Sequence, residues 1–447
     1  MTQLPTSNFP SASLRLCVSL FLIGVVRADT LPLSDPNNTG GWVLNESVSD
    51  EFNGTSLDVG KWNNLGLDGD YHGEWKGIAP SQYDPANVSV NDGLLTITCR
   101  WNPEFAFFQG NSGSGYQYGK PAPVTTAALT SKAKFKFGYM EMRCRAADGP
   151  VSSSFWTTGS GGELDVFEHF GQKPADNYSA RRFQASFHDW RKGSPTIGKR
   201  IWTNDHQLDF RVADDFHVYA LEWDENYVKM YIDGRLVNCV TKQEMGDKWV
   251  VSNEQKVWID SETFDWEVKP VALKAEDFGE GRKFIVDYCR IWQRTQPSAG
   301  CEPRSNLLAN AGFESGLSSW TGTAVASTDV KSGNAAAALE ASGVMEQTVS
   351  VKANTTYILS AWAKSPGTNQ RNLWFNAVLG VRGHGNAETD TRFFFPYYHQ
   401  KSLQFTTGPS ATTAVIYFTN RPQGKQAIID DIQLVEAPAA EERKRRE

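Results

Sequence analysis

The chain has 447 residues, 40% of them hydrophobic and 21% charged, too apolar for a disordered protein and too long for one modest core, so two domains are expected. Its 44 basic against 51 acidic side chains give a formal net charge of −7, which argues against a general nucleic-acid-binding surface and leaves room only for local basic patches. The 15 Trp, 14 Tyr and 25 Phe are flat faces that either fill β-rich cores or stack on sugars and bases.

At the N-terminus Arg15 precedes an apolar run from Leu16 to Val26, and Val26-Arg27-Ala28 offers small residues where a signal peptidase reads. A secretory leader over residues 1–28 is expected, and the run is far shorter than the roughly 20 apolar residues that span a bilayer. Membrane insertion is not expected. Removing the leader takes the formal charge to −9 and leaves Cys99, Cys144, Cys239, Cys289 and Cys301. An oxidising compartment permits two disulfides and one free thiol among them, and the spacings fit no CxxC metal pattern.

From Trp42 to Gln293 short strands alternate with turn residues. Asn87–Val90, the turn Asn91-Asp92-Gly93 and Leu94–Thr98 read as a hairpin, as do Tyr227–Ile232, Asp233-Gly234 and Leu236-Val237. Many such strands in about 250 residues indicate a β-sandwich or jelly roll. Residues 29–297 are assigned to this first domain, 298–304 to a linker rich in Pro, Ser and Gly, 305–437 to a second all-β domain, and 438–447 to a charged tail.

The most informative segment is Gly161-Gly162-Glu163-Leu164-Asp165-Val166-Phe167-Glu168-His169-Phe170. Side chains alternate along a strand, so Glu163 and Asp165 share one face while Leu164 and Val166 take the other. Strict alternation would drive Glu168 into the core, an expensive place for an unpaired carboxylate. A β-bulge around Val166-Phe167 returns it to the face of the other two acids. Three such acids cannot all ionise at their ordinary pKa values, so a proton is retained beside a nucleophile. Retaining glycoside hydrolysis needs that chemistry, with two carboxyls roughly 5–5.5 Å apart. Trp156 lies just upstream, and the next strand brings His188 and Trp190 alongside. A solvated acidic strand is the competing reading for any one such match.

These residues resemble glycoside hydrolase family 16, whose bulged-strand members carry Glu-x-Asp-x-x-Glu, here Glu163, Asp165 and Glu168. The resemblance extends through Asp50–Asp58 with Lys61-Trp62, Gly138–Met142, Phe216–Trp223 and Val286–Trp292. It implies a concanavalin-like jelly roll followed by a smaller β-sandwich, and retaining cleavage inside a β-linked polysaccharide. Carried over, Glu163 is the nucleophile, Glu168 the acid/base and Asp165 the residue that orients or shares a proton with Glu163; Trp156 matches a stacking tryptophan and His188 a histidine of galactan-cleaving members. Trp75, Trp258 and Trp266 are further candidate sugar platforms.

Between Tyr178 and Trp202 stand Arg181, Arg182, Arg191, Lys192, Lys199 and Arg200 against the single acid Asp189. Planar guanidinium groups bind sulfate oxygens in pairs, so an algal galactan such as porphyran, agar or carrageenan is favoured, with Arg182 a candidate contact. A laminarinase, a non-catalytic lectin-like protein and a transglycosylase are the alternatives. The C-terminal block, with Asn310–Glu314, Trp320 and Asp430–Leu434, resembles carbohydrate-binding modules; Trp362, Trp374 and Phe393–Tyr398 supply its aromatic faces. Glu314 and Asp431 match positions where such modules hold calcium, and Asp287 a calcium position in some family members. No cofactor is required for the reaction; a polysaccharide is the partner, and a monomer is expected.

Overall fold

The computed structural model describes residues 31–108, 115–117, 119–171, 179–264, 273–294, 300–301, 305–365, 377–422 and 425–437. The expected leader, the tail, Trp266 and Trp374 lie outside the described residues. No helix among the described residues is long and apolar enough to cross a membrane.

The alternating sequence pattern folds as strands almost throughout. Val88–Asn91 and Leu94–Trp101 pair antiparallel across Asp92 and Gly93, both with positive φ, and Tyr227–Ile232 pairs with Arg235–Thr241 across Asp233 and Gly234 in the same way. Both turns have the backbone that matches the twist of a two-residue hairpin. Two sheets face each other over the first domain. One runs in the order Arg235–Thr241, Tyr227–Ile232, His217–Trp223, Gly138–Arg145, Arg282–Gln293, Leu94–Trp101, Val124–Thr126, Ser81–Tyr83. The other begins Trp62–Asn64, Ala128–Ser131, Gln255–Asp260, Ser152–Gly159, Gly162–Phe170, Arg182–Asp189, Lys199–Gln207. Leu95, Ile97 and Met140 from the first sheet meet Phe155, Leu164, Val166, Phe167 and Phe187 from the second in one core, the inward-facing half of each alternation.

The second sheet does not stop at Lys199–Gln207. That strand pairs in parallel with His399–Thr406 of the C-terminal domain, Asn204 opposite Gln400 and Asp205 opposite Lys401. The sheet continues through Thr356–Lys364, Ala427–Glu436, Ala336–Leu339 and Val325–Ser327 to twelve strands among the described residues. A separate five-stranded sheet closes the smaller sandwich over a core that includes Phe313, Trp320, Leu379, Phe405 and Phe418. Ile358, Trp362 and Val435 cross over to pack in the core of the first domain. Trp362, expected as a binding face, is therefore spent on packing.

Two disulfides were permitted by the cysteine count; the described residues contain one, Cys239 to Cys301, while Cys99, Cys144 and Cys289 are buried thiols. The bridge fixes the chain between the domains to the edge strand Arg235–Thr241.

Candidate active site

The strand Gly162–Phe170 enters from a tight turn with Ser152–Gly159. Gly161 has φ of +91°, and a Cβ on Gly162 would stand 2.5 Å from the Val250 carbonyl oxygen, so both positions need glycine. Register with Ser152–Gly159 runs Phe155 opposite Phe167 and then Trp156 opposite Asp165. Val166 is the extra residue. The bulge lies where the cost of burying Glu168 demands it, and Leu164, Val166 and Phe167 all enter the core, leaving Glu163, Asp165 and Glu168 on the opposite face.

The neighbouring strand orders these acids. His188 stands opposite Glu163 and Ser186 opposite Asp165. Ser186 Oγ donates to Asp165 Oδ2 at 2.5 Å, His188 Nε2 lies 3.2 Å from the same oxygen, and His188 Nδ1 lies 3.8 Å from Glu163 Oε1. Trp190 Nε1 donates to Glu163 Oε2 at 2.9 Å. Asp189 fixes the loop that carries Trp190, accepting from the Arg191 guanidinium and backbone N–H and from the hydroxyls of Ser194 and Thr196.

Burial, reinforced by the charge of Asp165, pushes the Glu163 carboxyl up to about 8 and that of Glu168 up to about 7. At His188 burial opposes the charged form, but Asp165, Glu163 and Glu168 overcome it and lift the imidazole to about 9. Near neutral pH the face therefore holds an imidazolium between partly protonated carboxyls.

Two further acids, which the local motif does not contain, complete the cluster. Ser154 pairs with Glu168 on one side and Asp260 on the other, and Glu262 follows two residues later. Trp156 Nε1 donates to Asp260 at 3.2 Å, Tyr83 Oη to Glu262 at 2.6 Å, and Trp75 Nε1 to Glu262 at 3.1 Å. Burial drives both carboxyls upward. Trp75, Trp156 and Trp258 cluster with ring centroids 4.5–5.6 Å apart. Trp258 is fully buried and serves as packing, Trp156 is nearly so, and Trp75 is 36% exposed; the open indole face is that of Trp75.

The basic segment divides. Arg181 bonds the Asp209 carbonyl oxygen and Arg191 pairs with Asp189. Arg182, expected as a substrate contact, is buried next to Asp205. Arg200 is the one that joins the site, donating to Gln184 at 3.1 Å and favouring the ionised form of Glu168.

Glu163, Asp165 and His188 are the only three metal-ligating side chains among the described residues whose donor atoms all lie within 4.8 Å of one another; a His188 held as imidazolium by its carboxylates is a poor ligand. The Asp287 carboxylate pairs with Arg143 at 2.6 Å. Glu314 accepts the backbone N–H groups of Asn334 and Ala335, and Asp431 the Ser332 hydroxyl.

A two-sheet jelly roll with this set of acids on one bulged strand defines a glycoside hydrolase of the two-carboxylate type. Residues 42–294 match the family model "Beta-porphyranase A-D, GH16 domain", and the chain belongs to glycoside hydrolase family 16. Residues 305–425 match a carbohydrate binding domain. β-Porphyranase D of Zobellia galactanivorans is 33% identical over 202 residues, 41% of this chain and 44% of that protein, so the match spans less than half of that relative. β-Porphyranase B of Phocaeicola plebeius is 28% identical over 278 residues, 55% of this chain and 82% of that one. Among solved structures, porphyranase B of Zobellia galactanivorans aligns with a TM-score of 0.44 at 25% identity, covering 56% of this chain and 92% of that one.

Proposed function

We propose that this chain is a secreted endo-hydrolase that cleaves a sulfated red-algal galactan of the porphyran class with retention of configuration. The observation that carries the mechanism is the gathering of Glu163, Asp165 and Glu168 on one face by the bulge at Val166. Glu163 attacks the anomeric carbon as Glu168 gives its proton to the departing glycosidic oxygen, leaving a glycosyl ester on Glu163. Glu168, now a carboxylate, takes a proton from water, whose oxygen displaces Glu163 and restores both groups. Trp190 and His188 stabilise the Glu163 anion on which attack depends. Asp165, between the two glutamates, pairs with His188, and its charge favours the protonated forms of Glu163 and Glu168.

For the substrate, the support is the porphyranase-type family match together with Arg200, a guanidinium beside Glu168 able to take a sulfate in a bidentate pair. A reducing-end assay against porphyran, agarose, κ-carrageenan and laminarin tests this: release of sulfated oligosaccharides from porphyran is expected. Cleavage of laminarin alone would assign the arginine to structure and the chain to the β-glucan branch.

The pH profile follows from the same geometry. The free enzyme's kcat/KM is expected to be bell-shaped with apparent pKa values near 7 and 8, belonging to the glutamate pair jointly. Trp190→Phe keeps an aromatic ring but removes the N–H that favours ionised Glu163. The pair's profile should then shift upward by about one pH unit, as loss of a hydrogen bond to a charged group implies. An unchanged profile would separate Trp190 from Glu163.

A further inference from the structure

The run Phe393-Phe394-Phe395-Pro396-Tyr397-Tyr398 belongs to the C-terminal domain, yet it lies against the catalytic sheet. Phe395 faces the Arg200 guanidinium at 5.8 Å, and Phe394 faces the ammonium of Lys401 at 4.6 Å. Phe395 and Tyr397 stack in parallel, centroids 5.1 Å apart and planes 7° from coplanar. The run is held at several points. The Phe395 carbonyl oxygen accepts the Ser365 N–H, the Tyr397 carbonyl oxygen meets the His399 ring at 3.1 Å, and Tyr398 Oη donates to the Asp329 carbonyl oxygen at 2.7 Å. Tyr397 nevertheless remains 48% exposed.

A run of side-chain contacts links this stack to the acids. Glu168 feels the charge of Arg200, Arg200 bonds Gln184, Gln184 bonds Asp205, and Asp205 pairs with Lys401 beneath the phenylalanines. An exposed tyrosine stacked on a half-buried phenylalanine, on a pinned backbone and next to an arginine of a polysaccharide hydrolase, has the form of a sugar platform: the C–H face of a pyranose lies on the ring while the guanidinium takes an anionic substituent. The backbone that carries the ring is already ordered, so binding has less of the chain to order.

We propose that the C-terminal domain supplies a distal subsite of the catalytic site itself, in which Tyr397, backed by Phe395, stacks a sugar of the same chain that Glu163 and Glu168 cut, with Arg200 holding an anionic group beside it. The inference rests on the galactan reading for the identity of that sugar, and on the shared sheet for the position of the platform. It differs from tethering, where a binding domain raises local concentration and any point on the polymer serves.

The test compares wild type, Tyr397→Ala, Phe395→Ala/Tyr397→Ala and Tyr397→Phe in steady-state assays on porphyran polymer and on the shortest oligosaccharide cleaved, with melting temperatures to confirm folding. Loss of the stack is expected to raise KM for the polymer roughly five- to tenfold, with a smaller change on the short substrate and near-complete rescue by Tyr397→Phe. An unchanged polymer KM, or equal losses on long and short substrates, would overturn the subsite. Failure of the galactan reading shows separately, as wild-type enzyme that cuts laminarin and not porphyran; the same polymer-to-oligomer ratio on laminarin then judges the platform.

Discussion

Glu163→Gln is expected to lower kcat by roughly 10⁴-fold or more, because an amide neither attacks the anomeric carbon nor leaves as a carboxylate in the second displacement. Affinity for the polysaccharide should persist, since the amide keeps the size of the side chain and still accepts from Trp190 Nε1, which lies 2.9 Å from the carboxylate. A second, independent reading comes from stability. The folded pair of Glu163 and Glu168 retains a proton up to about pH 7 to 8, against an ordinary value of 4.5 for each. Between those values the native state binds more protons than the unfolded chain, so the pair's contribution to stability falls as pH rises through the window. Glutamine at position 163 removes that residue's share of the loss. The melting temperature of the variant relative to wild type should therefore rise from pH 5 to pH 8, by calorimetry at both values, even as turnover vanishes. Turnover within tenfold of wild type would remove Glu163 from the nucleophile's role, whatever the melting curves show.

The catalytic strand was legible in the sequence because it contains a local contradiction: period two sends Glu168 inward, and a buried unpaired carboxylate is costly, so a bulge had to fall at Val166-Phe167. The same local logic found the Asp92-Gly93 and Asp233-Gly234 hairpins. Asp260 and Glu262 were not legible, for they reach the site from about a hundred residues downstream through the pairing of Ser154 with Asp260. Only a register between distant strands brings them there. Trp75 and Trp258 read alike as aromatics, but their burial depends on which covers the other. Nor did composition separate Arg200 from Arg182; the two lie at opposite ends of adjoining strands, one beside Glu168 and one beside Asp205. The fused sheet left the faintest trace. Parallel pairing of Lys199–Gln207 with His399–Thr406 has no turn to announce it, and the sole hint was a lone lysine in an otherwise uncharged strand, Lys401.

That lysine carries the second large expectation. Lys401 and Asp205 are buried, with side chains 0% and 1% exposed, and form an ion pair across the junction of the two domains. Burial pushes the Asp205 carboxyl up, but Lys401, then Arg182, and the amide of Gln184 reverse this and hold it well below its usual range. Lys401→Met removes the nearest cation and leaves an anion in a dry sheet, a loss of about 3–5 kcal/mol when a buried pair is broken from one side. Arg182 remains beside Asp205, which directs the expectation to the lower end of that range. The companion Asp205→Asn/Lys401→Met leaves no buried charge and should recover much of the difference; chemical denaturation of both variants measures it. Because the pair joins the parallel strands, its loss should also loosen the Phe393–Tyr398 run, and KM for polymer should rise in Lys401→Met at temperatures where the protein is still folded. A single-variant loss no larger than that of the double variant would mean that the interface is held by its apolar contacts, Ile358, Trp362 and Val435 packed into the first core, and that the ion pair fixes which strands meet without adding to how strongly they hold.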